Sequence, residues 1–266
     1  MDRPTWAPQG IDLERASAAR IYDYFLGGSH NFEVDREAGR RAVEIMPDLP
    51  KIMQANRAFI RDAVRQAAAA GVTQFLDIGS GIPTFGNVHE VALEATPDAR
   101  VVYVDHDPVA VAHSQALLAD VPQAAVVEAD LLRPKELLAR VAAGGLLDLD
   151  RPVALLLVAV LHFVEESADP YGLVAQLRDA LAPGSVLVLS HASQDTRPDE
   201  ATRIEKLYER LGTPFAMRTK QQVERFFEGF EPDPGVVLIA EWGDNAQAAA
   251  GDPSRFSGYV GVGRRP

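Results

Sequence analysis

QFLDIGSGIPT, residues 74–84, and VVYVDHDP, residues 101–108, decide how this chain folds. An apolar run ends in Asp77 and gives way at once to Gly79-Ser80-Gly81, with a helical pattern beyond it. A second apolar run, with one Tyr inside it, ends in Asp105. This is the layout of a sheet whose first crossover cradles a nucleotide-like ligand and offers a carboxylate to its ribose. The two glycines let the backbone come close, because a Cβ there would collide with the ligand. Asp105 follows Gly81 by 24 residues, near the roughly 20 expected for one passage of strand, helix and strand.

Outward from this stretch the same rhythm repeats. Candidate strands at 73–78, 100–105, 124–129, 153–160 and 185–191 alternate with candidate helices near 86–96, 108–119, 134–142 and 170–182. Alternation of this kind implies right-handed crossovers and a parallel sheet. After residue 191, helical stretches at 199–211 and 219–228 precede two last strands, 236–241 and 257–263, expected as an antiparallel hairpin added to the sheet. Thr219 and Gln222 have capping-box spacing for the second of those helices. Ahead of the sheet, residues 15–70 read as helices broken at GGSHN (27–31) and PDLP (47–50), the glycine pair serving as a helix stop. Residues 1–12 form a Pro-rich polar arm. The expected organisation is an arm and helical cap over 1–70 packed on a main domain over 71–266.

Composition narrows the function. The chain has 266 residues, 47% of them hydrophobic and 24% charged, as in an ordinary α/β globule. It lacks cysteine, which removes disulfides and thiolate nucleophiles. A formal net charge of −12 disfavours a nucleic-acid partner, since an acidic body repels phosphate backbones. The longest apolar run, VALLLVAVL at 153–161, is too short to span a bilayer. The start lacks the plan of a signal peptide. A cytoplasmic protein with no membrane partner is expected. The histidines show no metal-ligand spacing, so no metal is expected. A Gly-x-Ser-x-Gly elbow and a phosphate loop are both missing, which removes esterases and simple triphosphatases. The sequence is silent on oligomeric state.

Three details identify the ligand. The third glycine of a dinucleotide fingerprint would fall at Thr84, which argues against a pyrophosphate seat. Asp77 before the glycines would repel a pyrophosphate but could face an ammonium group. Asp130 is a third acidic strand end, 25 residues after Asp105. A ligand with an amino group, a ribose and an adenine, but no phosphate, would use all three carboxylates, and S-adenosylmethionine is such a ligand.

At these residues the sequence resembles the class I S-adenosylmethionine-dependent methyltransferases. Asp77, Gly79, Ser80 and Gly81 match the motif that holds the methionine part. Asp105 matches the acidic residue that accepts the ribose hydroxyls, with His106 beside it. Asp130 and Leu131 match the element that reads adenine. LVAVLHFV (157–164), with Val160, matches the segment beside the transferable methyl, and LAPGSVLVLSH (181–191) matches the fifth-strand region. Where the family often has a third glycine, this chain has Pro83, which can start the following helix. A narrower resemblance, carried by ARIYDYFLGGSHNFEVDREAGRR (19–41), NRAFIRDAV (56–64) and QFLDIGSGIPT, is to a bacterial group of S-adenosyl methyltransferases formerly catalogued as a domain of unknown function. The resemblance implies a Rossmann-like methyltransferase fold: α/β, a doubly wound, seven-stranded, mostly parallel sheet with its last strand antiparallel and an N-terminal helical cap. It also implies S-adenosylmethionine as cofactor.

For catalysis, His162 after the fourth strand is the first candidate for a base, with His191 and Asp195 behind it; the bland reading is a structural histidine. Tyr22, Tyr24, His30 and Asn31 are candidates for substrate or lid contacts, although aromatics at helix spacing otherwise read as core. The expected function is methyl transfer to an oxygen or nitrogen of a small-molecule substrate. A non-catalytic S-adenosylmethionine-binding or sensing protein is the alternative, and a nicotinamide oxidoreductase is disfavoured by Pro83 and Thr84.

Overall fold

Five apolar runs build the parallel part of a single sheet in the computed structural model, which describes residues 11–83, 86–249 and 251–266. They are β1 (Gln74–Ile78), β2 (Arg100–Asp105), β3 (Ala124–Glu128), β4 (Ala154–Val158) and β5 (Val186–Ala192). The spatial order is β3-β2-β1-β4-β5, and every neighbouring pair among these five is parallel. Beyond β5 lies β8 (Gly258–Arg264), antiparallel, with Ser190 opposite Val260 and His191 opposite Tyr259. Two short strands, β6 (Glu231–Pro232) and β7 (Val237–Leu238), pair antiparallel with β8.

Strand periodicity assigns each face its core. Phe75, Val101, Leu156 and Val188 point to one face, where they pack with Phe59, Ala63 and Val64. Leu76, Val102, Leu155, Leu157, Leu187 and Leu189 point to the other, against Leu137, Leu173 and Leu177. Successive side chains of a strand face opposite ways, so a strand covered on both faces must be apolar throughout. β4 is buried at every position, which explains its unbroken ALLLV.

The helices carry the expected caps. Asp107 accepts the Val109 N–H at 2.7 Å and starts α5 (Pro108–Leu117), with Pro108 in the first turn. Thr219 and Gln222 form the capping box of α9 (Lys220–Glu224). The first three helices are α1 (Ala18–Phe25), α2 (Glu33–Ile45) and α3 (Leu49–Ala69). Gly27, at φ +77°, ends the turn after α1. α3 lies on the sheet through Phe59, whose ring meets Trp242 edge-on at 5.0 Å. No described helix is long and apolar enough to cross a membrane.

The C-terminal region departs from expectation in detail. The strand expected over 236–241 is only Val237–Leu238, followed by a 3-10 turn, Ile239–Glu241, in which the Glu241 carboxylate accepts the Leu238 N–H at 3.0 Å. A short helix, α10 (Asn245–Ala248), then intervenes before β8. The closing pair is therefore antiparallel as expected, but joined by a structured connection. The helix expected over 219–228 tightens to a 3-10 turn after Glu224. Thr84 and residues 1–10 of the arm lie outside the described residues, whereas Ile11 and Asp12 line the main cavity.

Candidate active site

The sheet order reverses between β1 and β4, and open α/β sheets bind ligands at such a switch point, outside the carboxyl ends of their strands. A cavity of about 710 Å³ opens there. Every residue of the expected cofactor set lines it: Asp77, Gly79, Ser80, Gly81, Asp105, His106, Asp130, Leu131 and Val160.

The turn after β1 is built from backbone. The Gly79 and Ser80 N–H groups donate to the Val104 carbonyl at 2.8 and 3.2 Å. Gly79 and Gly81 sit at φ +73° and +66°, a region that favours glycine. A Cβ on Gly79 would come 2.4 Å from Val160 Cγ2, whereas one on Gly81 would meet nothing within 4 Å. Gly79 thus lets β1 and β4 close together, and Gly81 leaves space in the cavity. The buried Ser80 hydroxyl has no hydrogen-bond partner among the described residues.

The two rim carboxylates differ in their partners. In Asp105, Oδ2 accepts the Gly81 N–H at 2.7 Å and Oδ1 accepts the Asp107 N–H at 2.8 Å. It latches the glycine turn to β2, and each oxygen keeps a lone-pair direction for a ligand hydroxyl. Burial raises its pKa. Asp77 is buried, and no hydrogen bond joins it to another described residue; burial pushes it up to about 7, with Arg57 opposing the shift and Asp105 adding to it. A buried carboxylate without a donor is costly unless a cation or donor reaches it. His106 is exposed, 3.9 Å from Asp105. Asp130 accepts the Leu132 N–H at 2.9 Å as a turn residue, with Leu131 buried beside it.

His162 follows β4 in the 3-10 turn Leu161–Phe163 and lines the cavity. Its Nδ1 is buried without a partner among the described residues. Burial, with His191 and Arg218 adding, holds its pKa well below the ordinary value, so the ring is neutral at pH 7. His191 is pushed down to about 3, mainly by burial. Its Nε2 lies 2.8 Å from Arg218 Nη1, and its Nδ1 lies 2.8 Å from the Ala192 carbonyl, which puts the proton on Nδ1. Asp195 holds the Lys220 N–H and the Tyr259 hydroxyl and is not among the cavity-lining residues.

Of the four lid or substrate candidates, one lines the cavity. Tyr22 does, with its hydroxyl 2.9 Å from Asn56 Nδ2. Tyr24 instead packs against α2, where a Cβ on Gly39 would lie 2.4 Å from its ring. Asn31 is buried in the turn after α1, donating to Asp23 at 2.8 Å and to the Gly28 carbonyl at 2.9 Å. His30 donates its N–H to Asp23 at 2.9 Å, and its ring sits 3.9 Å from that of His113. The helix stop GGSHN folds around the Asp23 carboxylate and turns these side chains away from the cavity.

The sequence reading passed over several residues. Asn56 and Arg57 face the same cavity from α3. Arg218 is fully buried and donates to the Leu161 and Val164 carbonyls at 2.9 and 2.8 Å and to Glu166 at 2.9 Å, so it holds the turn that carries His162. Ala159, before that turn, sits at φ +54° with its N–H held by Ser190. Ser17 donates its hydroxyl to Asp107, tying the start of α1 to the cofactor rim. None of these has a local sequence pattern, because their partners lie far away along the chain.

Such a sheet, closed by a reversed strand and carrying a glycine turn after β1, defines the Rossmann-like methyltransferase class. The chain belongs to the S-adenosyl methyltransferase family, whose model matches residues 4–266. It is similar to a DUF574 family protein from Streptomyces avermitilis, with 42% identity over 96% of this chain and 99% of that one and a TM-score of 0.91. It is also similar to a candidate methyltransferase from Thermobifida fusca, with 38% identity over 98% and 99% of the two chains and a TM-score of 0.90. An O-methyltransferase family protein from Burkholderia thailandensis, at 12% identity and a TM-score of 0.55 over 95% of this chain and 64% of that one, shares the fold alone. No curated protein matches the sequence. The protein is an S-adenosylmethionine-dependent methyltransferase, and the binding-only and nicotinamide alternatives give way. The residues at the rim fit this cofactor: among the described residues the buried Asp77 carboxylate has no donor and the Ser80 hydroxyl no partner, and Gly81 opens onto space.

Proposed function

We propose that this enzyme methylates an oxygen or nitrogen of a small molecule, with the cofactor along the rim from Asp77 to Leu131. Asp77, Gly79, Ser80 and Gly81 hold the methionine end, Asp105 with His106 beside it accepts the ribose hydroxyls, Asp130 and Leu131 flank the adenine, and Val160 borders the methyl. Residues 1–70 act as a cap on the domain formed by 71–266. The observation that carries this reading is the buried Asp77 carboxylate, without a donor among the described residues, beside a turn that leaves space for a ligand.

S-adenosylmethionine supplies an activated methyl group on a positive sulfur. The chain's part is chiefly orientation, which is worth up to about 7–11 kcal/mol in favourable cases. His162, neutral at pH 7 and lining the cavity, takes the proton of a hydroxyl acceptor as the new bond forms. General-base help of this kind is worth about 10²–10⁴-fold.

Calorimetry with S-adenosylhomocysteine tests the cofactor assignment. Asp105→Ala should weaken binding by about 1.5–3 kcal/mol, the worth of hydrogen bonds to a charged group. Unchanged affinity in that variant would overturn the ribose assignment.

A further inference from the structure

Beyond the cofactor rim, the same cavity is lined by apolar side chains that the rim does not use. One wall is aromatic: the Tyr208 and Phe215 rings are stacked at 4.4 Å and 19°, and Phe163 meets Phe215 at 5.3 Å and 71°. The lining also includes Phe25, Met46 and Met53. None of these six side chains carries a charge, and burial raises the Tyr208 pKa, so its hydroxyl stays protonated. Two polar groups interrupt this apolar surface. The His162 ring lines the cavity 4.8 Å from that of Phe215. No hydrogen bond joins the Tyr208 hydroxyl to another described residue, although the side chain is buried and lines the cavity.

We propose that this half of the cavity is the acceptor subsite and that it takes a flat, uncharged aromatic molecule bearing a hydroxyl group; the proposal rests on the cofactor reading above. A flat ring matches the stacked pair, since aromatic faces prefer offset stacking at centroid separations of about 4.5–7 Å. Methionines adapt to the outline of such a ligand. A charged acceptor would lose its hydration against these side chains, and the cations that line the cavity are engaged elsewhere: Arg15 on the Gly212 carbonyl, Arg20 on Asp35 and Arg57 on the Gly86 carbonyl. Ligand pockets of this kind use a few placed polar groups to set orientation: Tyr208 and His162 bind and orient the hydroxyl. In the transfer, the acceptor oxygen gives a lone pair to the methyl carbon, the carbon–sulfur bond pair returns to sulfur, and the hydroxyl proton passes to His162.

The test is calorimetric titration of the full chain, first with S-adenosylhomocysteine and then, on the loaded protein, with 2-naphthol, 2-naphthoate and 1-decanol. The expected result is binding of 2-naphthol, with 2-naphthoate and 1-decanol each weaker by about tenfold or more, a gap of about 1.4 kcal/mol. Supply of S-adenosylmethionine should yield 2-methoxynaphthalene. Phe215→Ala should weaken 2-naphthol about tenfold. Tyr208→Phe, which keeps the ring, should weaken it about threefold to tenfold, the worth of one hydrogen bond. Both variants should bind S-adenosylhomocysteine as the parent does, which also reports that they fold. S-adenosylhomocysteine binding without 2-naphthol binding, or preference for 2-naphthoate or 1-decanol, would overturn the acceptor class alone. Failure to bind S-adenosylhomocysteine would overturn the cofactor reading beneath it.

Discussion

Asp77 carries the sharpest consequence at the scale of single residues. Its pKa, pushed up to about 7 chiefly by burial, means that the ligand-free carboxyl is half protonated near neutrality. A cationic ligand group selects the ionised form. Affinity for S-adenosylmethionine should therefore fall as pH drops below 7, with a limiting slope of about tenfold per unit, and level off above it. Asp77→Asn should flatten this profile and weaken binding. Stability runs the other way. The folded pKa lies above the unfolded value, so the native state holds more protons through this window and the group's contribution declines as pH rises toward 7. Asp77→Asn should thus stabilise the ligand-free protein at pH 8. Titration calorimetry across pH, beside thermal melts, checks both, and a pH-independent affinity in the parent would remove Asp77 from the cation seat. His162 predicts a contrasting profile. Its lowered pKa places any loss of kcat through its protonation well below pH 6.5, so kcat should stay flat from pH 8 to 6.5.

Among the structural elements, the turn after β4 depends on a residue from the far end of the chain. Arg218 satisfies two carbonyls of that turn, reaches Glu166 and faces the ring of His191. A buried carbonyl left without its donor costs about 1–3 kcal/mol, so Arg218→Leu should lower the melting temperature by several degrees. Lysine cannot serve these directions at once, because an ammonium is a point donor rather than a planar fork. Arg218→Lys should therefore also lose kcat through displacement of His162, while S-adenosylhomocysteine affinity holds. Melting curves and steady-state kinetics on both variants distinguish positioning from stability. At the N-terminus, the Ser17 hydroxyl on Asp107 and Arg15 on the Gly212 carbonyl at 2.9 Å draw the start of α1 across the cavity.

At the scale of the whole molecule, the proposed cofactor rim and the proposed acceptor walls share one cavity built from both ends of the chain. Residues before β1, strand ends from β1 to β5, and the segment around 204–217 all line it. A ligand that joins these parts stabilises the native state by mass action. S-adenosylhomocysteine at 100 times its Kd should add about 2.7 kcal/mol, which for a chain of this size is a rise of ~5–10 °C in melting temperature. Differential scanning calorimetry with and without the ligand measures it.

The strand–turn–carboxylate pattern at 74–105, the alternation of strand and helix, and the three acidic rim residues were legible in the sequence alone. Each is written in contiguous residues, whose side-chain alternation, glycine conformations and caps are local properties of the chain. Local signals also misled. Tyr24, His30 and Asn31 sit beside a glycine break, yet the turn closes on Asp23 and leaves only Tyr22 lining the cavity. Asp105 was legible as a ribose carboxylate, but its structural partners are backbone N–H groups that no motif displays. The aromatic wall, the Arg218 clamp and the pairing of Ser17 with Asp107 were decided by tertiary structure alone. They join residues that are distant along the chain, and long-range packing, not local propensity, brings such groups together.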